Sequence, residues 1–233
     1  MRGHAGRVAA VAWLCFALAS CGRAAHTERA ESSVKNDAPR ATDADTRPRI
    51  VMLGDSLTAG LGLDPADAFP TLIQRRLDDA ALRFRVVNAG VSGDTSAGGL
   101  SRLDWALDGD VRVLVVALGG NDGLRGLPPE ELKQNLAAII ARAQARHITV
   151  ILAGMEAPPN FGESYVRAFH DVYPDLAKQY HVALIPFLLD GVAGIDTLNQ
   201  ADGIHPTPAG ARIVANTVWR ALEPVLSKGA AAR

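Results

Sequence analysis

A continuous apolar run from Val111 to Leu118 (VRVLVVAL) is the strongest structural signal in this chain of 233 residues. The run is rich in β-branched residues and lacks the regular alternation of apolar and polar residues that is typical of a strand with one solvent-exposed face. Strands that are buried on both faces have this pattern, and they lie at the centre of parallel sheets. The run therefore predicts a parallel sheet that is covered by helices on both sides.

Further strands and helices alternate along the chain from Arg49 onward. Short apolar runs predict the strands, and apolar residues at helical spacing predict the helices that connect them. The predicted strands are 50–53, 84–88, 111–118, 148–152 and 182–185, and the predicted helices are 65–80, 96–108, 129–146, 163–180 and 206–226. This order predicts a three-layer α/β/α sandwich with a central parallel sheet and right-handed crossovers.

The N-terminal segment differs in composition from the rest of the chain. Arg2 and Arg7 precede an apolar run over 8–20, which suits the centre of a signal peptide and is too short to span a bilayer. The run ends in Leu-Ala-Ser-Cys21, which resembles the bacterial lipobox. Residues 1–20 are therefore a predicted lipoprotein signal peptide, and Cys21 is the predicted lipidation site. An ordinary secretory signal that is cut nearby, with Cys21 incidental, is the alternative.

These features divide the chain into four predicted parts. Residues 21–48 comprise the lipidated Cys and a polar tether without helical period, which either gives the domain reach or is a mere spacer. The domain itself is predicted over 49–228, with a tail over 229–233. The other cysteine, Cys15, leaves with the signal, so the mature domain is predicted to have no disulfide.

The predicted location and partners follow from the same features. We expect an exported lipoprotein that is held in the outer membrane and faces the periplasm, because Gly22 rather than Asp follows Cys21. A soluble periplasmic or secreted protein is the alternative. The formal net charge is −1 and the sequence has no run of basic residues, so it lacks the positive patch that is typical of nucleic-acid-binding proteins. The protein is predicted to be a monomer.

Three short segments with polar or glycine residues follow the first three predicted strands. They are Gly54-Asp55-Ser56-Leu57, Ser92-Gly93-Asp94 and Gly119-Gly120-Asn121-Asp122. Ligands of open parallel sheets bind beyond the carboxyl ends of the strands, so these segments are expected at one binding edge. Ser56 is a candidate nucleophile, which needs a base and oxyanion donors to react. A helix N-cap is the alternative role for Ser56.

A fourth segment, Asp202-Gly203-Ile204-His205-Pro206, supplies the candidate base. With this spacing Asp202 accepts from one ring nitrogen of His205, and the other nitrogen is left to take a proton from a serine. A surface turn is the alternative. The histidines at 26, 147, 170 and 181 lack a carboxylate at that spacing and are predicted to be surface or core residues.

Two further residues are candidate donors to an oxyanion. Gly93 allows close approach of the backbone to a ligand, so its N–H can reach a developing anion, although a simple turn is the alternative. Asn121 follows the strongest predicted strand, and its amide is a second candidate, with a structural role in the loop as the alternative. Asp122 is predicted to be structural and to bind loop N–H groups.

Together the four segments resemble blocks I, II, III and V of the SGNH (GDSL) hydrolase family. LGDSLTAG, VVNAGVSGDTS, LGGNDGLRG and DGIHP are similar to the thioesterase I / protease I / lysophospholipase group of bacterial periplasmic enzymes, and the likeness runs from about Arg49 to Leu226. The resemblance implies a flavodoxin-like fold and a Ser56–His205–Asp202 triad. It also implies an oxyanion hole of Ser56, Gly93 and Asn121, with no metal and no cofactor.

The same resemblance implies a serine esterase that acts on acyl esters and thioesters through an acyl-enzyme. A carbohydrate O-acetyl esterase of the cell envelope is an alternative function, and an inactive lipoprotein that binds acyl chains is an alternative of another class. Residues 153–163 and 186–199 are expected to shape the acyl groove, and they match the group loosely.

Overall fold

A five-stranded parallel sheet forms the centre of this protein in a computed structural model that describes residues 45–231. Its strands are β1 (Arg49–Gly54), β2 (Arg85–Gly90), β3 (Val111–Ala117), β4 (Thr149–Ala153) and β5 (Ala183–Ile185). The strand order is β2-β1-β3-β4-β5, which is the flavodoxin-like order. As the sequence predicts, β3 lies in the middle, and most of its residues are buried.

Within residues 45–231, eight helices connect and flank these strands. They are α1 (Ser56–Ala59), α2 (Phe69–Asp79), α3 (Ser96–Ser101), α4 (Leu103–Ala106), α5 (Gly120–Leu124), α6 (Pro129–Ala145), α7 (Glu163–Tyr180) and α8 (Pro208–Ala231). Two 3₁₀ turns, Pro159–Phe161 and Asp196–Leu198, lie in the loops. Among the residues that the structure describes, no helix is long and apolar enough to cross a bilayer.

The helices form two layers, one on each face of the sheet. Helix α2 packs against α8, whereas α6 packs against both α3 and α7. With right-handed crossovers, the order of the strands puts these two groups on opposite faces. The predicted α/β/α sandwich with a flavodoxin-like parallel sheet is therefore confirmed.

Apolar side chains at helical spacing join α6 to the sheet. The five apolar positions that the sequence assigns to the inward face of this helix are all completely buried: Leu132, Leu136, Ile139, Ile140 and Ala143. They pack in one continuous core with β1, β3 and β4. Because this core spans the middle of the sheet, it stabilises the strand ends from which the candidate site is built.

The register of the strands aligns three carboxyl ends. Gly54, the last residue of β1, pairs with Gly90 of β2 and with Ala117 of β3. A Cβ atom at Gly90 would lie 2.2 Å from the backbone nitrogen of Ala59, so only glycine lets α1 pack this close to β2. The segments that follow these strands therefore emerge side by side.

Some predicted boundaries are wrong. Helix α2 begins at Phe69 rather than 65, since Asp64 accepts from the Ala66 N–H at 2.8 Å and forms a turn before it. The predicted helix over 96–108 is two short helices with a break at Arg102. Helix α8 continues to Ala231, beyond the predicted end at 226. The predicted signal peptide, Cys21 and most of the tether lie outside the described residues.

Candidate active site

Ser56 is the first residue of α1 and follows the end of β1 after a single residue. That single residue, Asp55, is the N-cap of α1, because its Oδ1 accepts from the Leu57 N–H at 3.0 Å. Asp55 therefore has the capping role that was the alternative for Ser56. The Ser56 hydroxyl is left to face the side chain of His205.

The structure brings Ser56, His205 and Asp202 together. His205 Nε2 lies 2.9 Å from Ser56 Oγ, across a separation of 149 residues in sequence. The other ring nitrogen, Nδ1, lies 2.6 Å from Asp202 Oδ2. Both distances are hydrogen-bond lengths, so the three side chains form one continuous chain. The His205 side chain is mostly buried, whereas that of Asp202 is about half exposed.

Backbone contacts hold the turn that carries Asp202 and His205. Asn199 and Pro206 form an antiparallel bridge across its base, and the Gln200 N–H donates to the His205 carbonyl at 2.7 Å. Asp202 Oδ1 accepts from the N–H groups of Ile204 at 2.9 Å and His205 at 3.0 Å. The hydrogen bonds from these N–H groups and from the His205 ring lower the pKa of Asp202 to about 2. Asp202 is therefore an anion at neutral pH, with one oxygen free to orient the ring.

Asn121 is the second residue of α5 and lines the same cavity as Ser56. Its Nδ2 donates to the carbonyl of Asp94 at 2.9 Å and lies 3.4 Å from Asp55 Oδ2. The side chain thus ties down the loop after β2, which was the structural alternative, and it also borders the cavity that contains Ser56. Asp122 accepts from the Ser96 N–H at 2.8 Å and from the Ser96 hydroxyl at 2.6 Å, so it makes a structural contact, but with the first residue of α3 rather than with the predicted nearby loop N–H groups.

Gly93 lies in the turn after β2, with a φ of +85° that L-residues rarely adopt. Its carbonyl accepts from Arg125 Nη2 at 2.9 Å. Within residues 45–231, neither the Ser56 N–H nor the Gly93 N–H donates to a protein acceptor. Gly93 does not border the cavity itself, but the next residue, Asp94, binds the Asn121 amide.

Comparison with known proteins identifies the family of this chain. The model of the GDSL-like lipase/acylhydrolase family matches residues 52–213, which include Ser56, Gly93, Asn121, Asp202 and His205. The chain belongs to this family. The predicted resemblance is therefore confirmed, and the segments around these five residues lie in the matched region.

Relatives in this family are similar over most of the domain. The chain is 48% identical to esterase TesA of Pseudomonas aeruginosa over 178 residues, which are 76% of this chain and 89% of the relative. It is 38% identical over 189 residues to thioesterase 1/protease 1/lysophospholipase L1 of Escherichia coli K12, covering 81% of this chain and 88% of the relative. A crystal structure of TesA matches with a TM-score of 0.73 at 46% identity, over 76% of this chain and 98% of that one.

A cavity of about 430 Å³ opens beside Ser56 and His205 in this GDSL-like fold. Its walls are mostly apolar and come from both segments that the sequence assigns to a groove. Those lining residues are Met155, Glu156, Ala157, Pro158 and Pro159 from the first segment, and Phe187, Leu189 and Ala193 from the second. Gly120, Asn121 and Leu124 line it from α5. An apolar cavity next to one polar corner is suited to an aliphatic or aromatic group that is attached to a reactive carbonyl.

Asp55 is a buried carboxyl group at this polar corner whose role the sequence analysis misses. Its side chain borders the cavity, and the residue is only 2% exposed. Burial raises the pKa of Asp55 to about 6, against the opposing effect of the hydrogen bond from the Leu57 N–H. Its position directly before Ser56 is visible in the sequence, but its burial involves α5, whose Asn121 is 66 residues away and lies 3.4 Å from Asp55 Oδ2.

Arg102 is a second residue that the sequence analysis misses. Its guanidinium group donates to the Gly54 carbonyl at 2.9 Å, to the Ala89 carbonyl at 2.8 Å and to Asp94 at 2.6 Å. It therefore joins the carboxyl ends of β1 and β2 to the loop of Gly93. No local sequence signal identifies these contacts, because each partner is distant in sequence or is a backbone atom.

Proposed function

We propose that this protein is a serine esterase that hydrolyses acyl esters and thioesters through the triad Ser56, His205 and Asp202. The observation that supports it most directly is the continuous hydrogen-bonded chain from Ser56 Oγ through both ring nitrogens of His205 to Asp202 Oδ2, with distances of 2.9 Å and 2.6 Å. A serine hydroxyl is a poor nucleophile by itself, and an adjacent base that is oriented by a carboxylate makes it reactive.

In the first step, His205 Nε2 takes the hydroxyl proton as Ser56 Oγ attacks the acyl carbonyl carbon. The N–H groups of Ser56 and Gly93 and the amide of Asn121 donate to the oxyanion of the tetrahedral intermediate. Asp202 accepts from Nδ1 of the ring and stabilises the imidazolium that forms. His205 then donates its proton to the leaving alcohol or thiol, and Ser56 remains acylated.

In the second step, water replaces the leaving group. His205 takes a proton from this water, which attacks the acyl-enzyme carbonyl, and the same donors bind the second oxyanion. Collapse of the intermediate releases the carboxylic acid and returns the proton to Ser56 Oγ. In each step, therefore, His205 acts first as a base and then as an acid.

The walls of the cavity support an acyl chain as the bound group. Met155, Phe187 and Leu189 present apolar surface close to Ser56, so burial of an alkyl or aryl chain stabilises the complex. The relatives are named as esterase, thioesterase, lysophospholipase and arylesterase, and these names agree with acyl esters and thioesters as the substrate class.

Substitution of the nucleophile tests this proposal. We expect Ser56→Ala to lower kcat for p-nitrophenyl esters by about 10⁴-fold or more and to abolish labelling by a fluorophosphonate probe. Ser101→Ala is the matched control, because this serine is exposed on α3 and its hydroxyl contacts only the Gly98 carbonyl. Wild-type turnover in Ser56→Ala, with the fold intact by circular dichroism, would reject Ser56 as nucleophile.

We also propose that the protein is exported, lipidated at Cys21 and held in the outer membrane as a monomer that faces the periplasm. The support is the lipobox-like sequence after the apolar run of residues 8–20. Expression of the full chain with Cys21→Ser is expected to move the protein from the membrane fraction to the soluble fraction. Equal membrane association of the wild type and this variant would reject the anchor.

A further inference from the structure

Large apolar side chains are exposed around the mouth of the candidate site. Six such residues lie in connections that follow the carboxyl ends of the strands, and every one of the five strands is followed by at least one of them. They are Leu61 after β1, Val91 after β2, Leu124 after β3, Phe161 after β4, and Ile195 and Ile204 after β5. We call these six residues the apolar rim. Each is between 39% and 48% exposed.

Half of the apolar rim borders the catalytic pair directly. Leu124 and Ile204 line the cavity that contains Ser56 and His205. Leu61 lines a small depression that the same two residues also border. The remaining three rim residues, Val91, Phe161 and Ile195, are exposed and line neither depression.

The opposite end of the molecule differs. Of the seven large exposed apolar side chains in residues 45–231, only Trp105, which is 74% exposed, lies outside the rim. It lies on α4, close to Asp108, whose carbonyl accepts from Arg49 at the amino end of β1 at 2.9 Å. Single exposed apolar residues are ordinary, whereas several around one opening mark an interaction surface.

Charges near the rim limit what this surface can bind. The connections at the carboxyl ends of the strands carry five exposed carboxylates, namely Asp64, Glu156, Asp190, Asp196 and Asp202. Two arginines have their guanidinium groups at this edge, and both are engaged: Arg125 donates to the Gly93 carbonyl, and Arg102 binds Asp94 and the carbonyls of Gly54 and Ala89. Docking on an anionic membrane depends on clustered Lys and Arg, which this edge lacks. A choline-type surface, by contrast, presents outward cations that complement carboxylates.

We propose that the apolar rim docks the enzyme on a zwitterionic lipid–water surface, such as a lysophosphatidylcholine micelle, with the cavity mouth against the lipid. This inference rests on the proposed esterase function and adds a surface through which the substrate arrives. An acyl chain that moves from the aggregate into the apolar cavity then avoids transfer through water, which is the unfavourable step for a long chain.

Two double variants of the rim test the docking surface in the full chain. The first combines Phe161→Ser with Ile195→Ser, and the second combines Val91→Ser with Ile195→Ser. None of these three side chains lines the cavity. The matched control is Trp105→Ser, which removes an exposed apolar side chain away from the rim. Residues 1–44 are identical in all of these proteins.

The readout is the hydrolysis rate on two kinds of substrate. With lysophosphatidylcholine above its critical micelle concentration, we expect each rim variant to lose about tenfold in rate. On monomeric p-nitrophenyl acetate, the same variants should keep the wild-type kcat/KM, as should Trp105→Ser on both substrates. The rate on anionic lysophosphatidylglycerol micelles should be lower than on lysophosphatidylcholine for the wild type.

Three results would overturn the docking surface. These are wild-type rates of both rim variants on micelles, equal losses on micelles and on the monomeric ester, or faster hydrolysis of the anionic micelles. Absence of turnover by the wild type on the monomeric ester would instead reject the proposed esterase function. The two failures are therefore distinguishable in one set of assays.

Discussion

Asp55 and Asp202 are two carboxyl groups of one site with opposite electrostatics. Asp55 precedes the candidate nucleophile, is buried, and has a pKa that burial raises to about 6. Asp202 precedes the candidate base in an exposed turn, and hydrogen bonds from two backbone N–H groups and the His205 ring lower its pKa to about 2. Desolvation decides the first value and the number of donors decides the second.

The difference in pKa between Asp55 and Asp202 follows from the way the two halves of the site are built. The half that carries Ser56 is fixed by strand β1 and by the N-cap of α1. Its carboxyl group, Asp55, is buried, and burial disfavours the charged form and so raises the pKa. The half that carries His205 is an exposed turn, where the carboxylate of Asp202 is solvated and its two oxygens accept different hydrogen bonds. Oδ1 accepts from the backbone and Oδ2 accepts from the ring.

The largest expected effect on kcat comes from substitution of Asp202 in the exposed turn. In Asp202→Asn, the side-chain oxygen can keep the backbone hydrogen bonds that Oδ1 makes, but an NH₂ group then faces His205 Nδ1. This favours the tautomer with its proton on Nε2, which cannot accept from Ser56. We expect kcat on p-nitrophenyl esters to fall by about 10³- to 10⁴-fold with little change in KM.

Asp196→Asn is the matched control for this variant. It removes an exposed carboxylate from the same long connection after β5 without contact to His205. Steady-state kinetics of both variants at pH 8 separate orientation of the ring from a general effect of charge. A loss below tenfold for Asp202→Asn would show that the ring is oriented by another group.

A smaller effect is expected at Asn121, which lies between the two halves. Asn121→Ala removes one proposed oxyanion donor and also the hydrogen bond to the Asp94 carbonyl. We expect kcat to fall by about 10²- to 10³-fold, the usual loss for one such donor. Asn88→Ala is the control, because this exposed side chain of β2 has, among the residues that the structure describes, one hydrogen bond, which its oxygen accepts from the nearby Gly90 N–H. An unchanged kcat for Asn121→Ala would leave only a structural role.

Much of this architecture follows from the sequence because its signals are local. The run over Val111–Leu118 predicts the central strand, and the apolar period of 129–146 predicts the buried face of α6. Gly54-Asp55-Ser56 and the turn of Asp202 and His205 are short segments whose residues contact one another. Once the sheet is parallel, its topology brings Ser56 and Asn121 to the same edge.

The remaining features depend on contacts that are distant in sequence. Arg102 interrupts the predicted helix over 96–108, because its guanidinium group binds the carbonyls at the ends of β1 and β2 rather than extending along a helix face. The raised pKa of Asp55 depends on its burial beside α5, where Asn121 Nδ2 lies 3.4 Å from Asp55 Oδ2. Helical period and motif spacing contain no information about either contact.

The smallest expected effect concerns Asp55 in the buried half, and it is measured as a change in the free energy of unfolding rather than in kcat. The folded protein keeps the Asp55 proton up to a pH of about 6, whereas the unfolded chain releases it near the ordinary aspartate pKa of 3.8. Between these values the folded state binds more protons, so the free energy of unfolding falls as pH rises through this window and is level above it. The shift corresponds to about 3 kcal/mol at pH 7.

Asp55→Asn is therefore expected to remove this fall, because the amide cannot ionise and its oxygen still accepts from the Leu57 N–H. Urea unfolding of the wild type and the variant at pH 4, 5, 6 and 7 measures the difference between the two curves, in which the other titrating groups cancel. That difference should change in favour of the variant as pH rises from 4 to 6. Parallel curves would mean that Asp55 is ionised in the folded state at pH 4, and that its hydrogen bond outweighs burial after all.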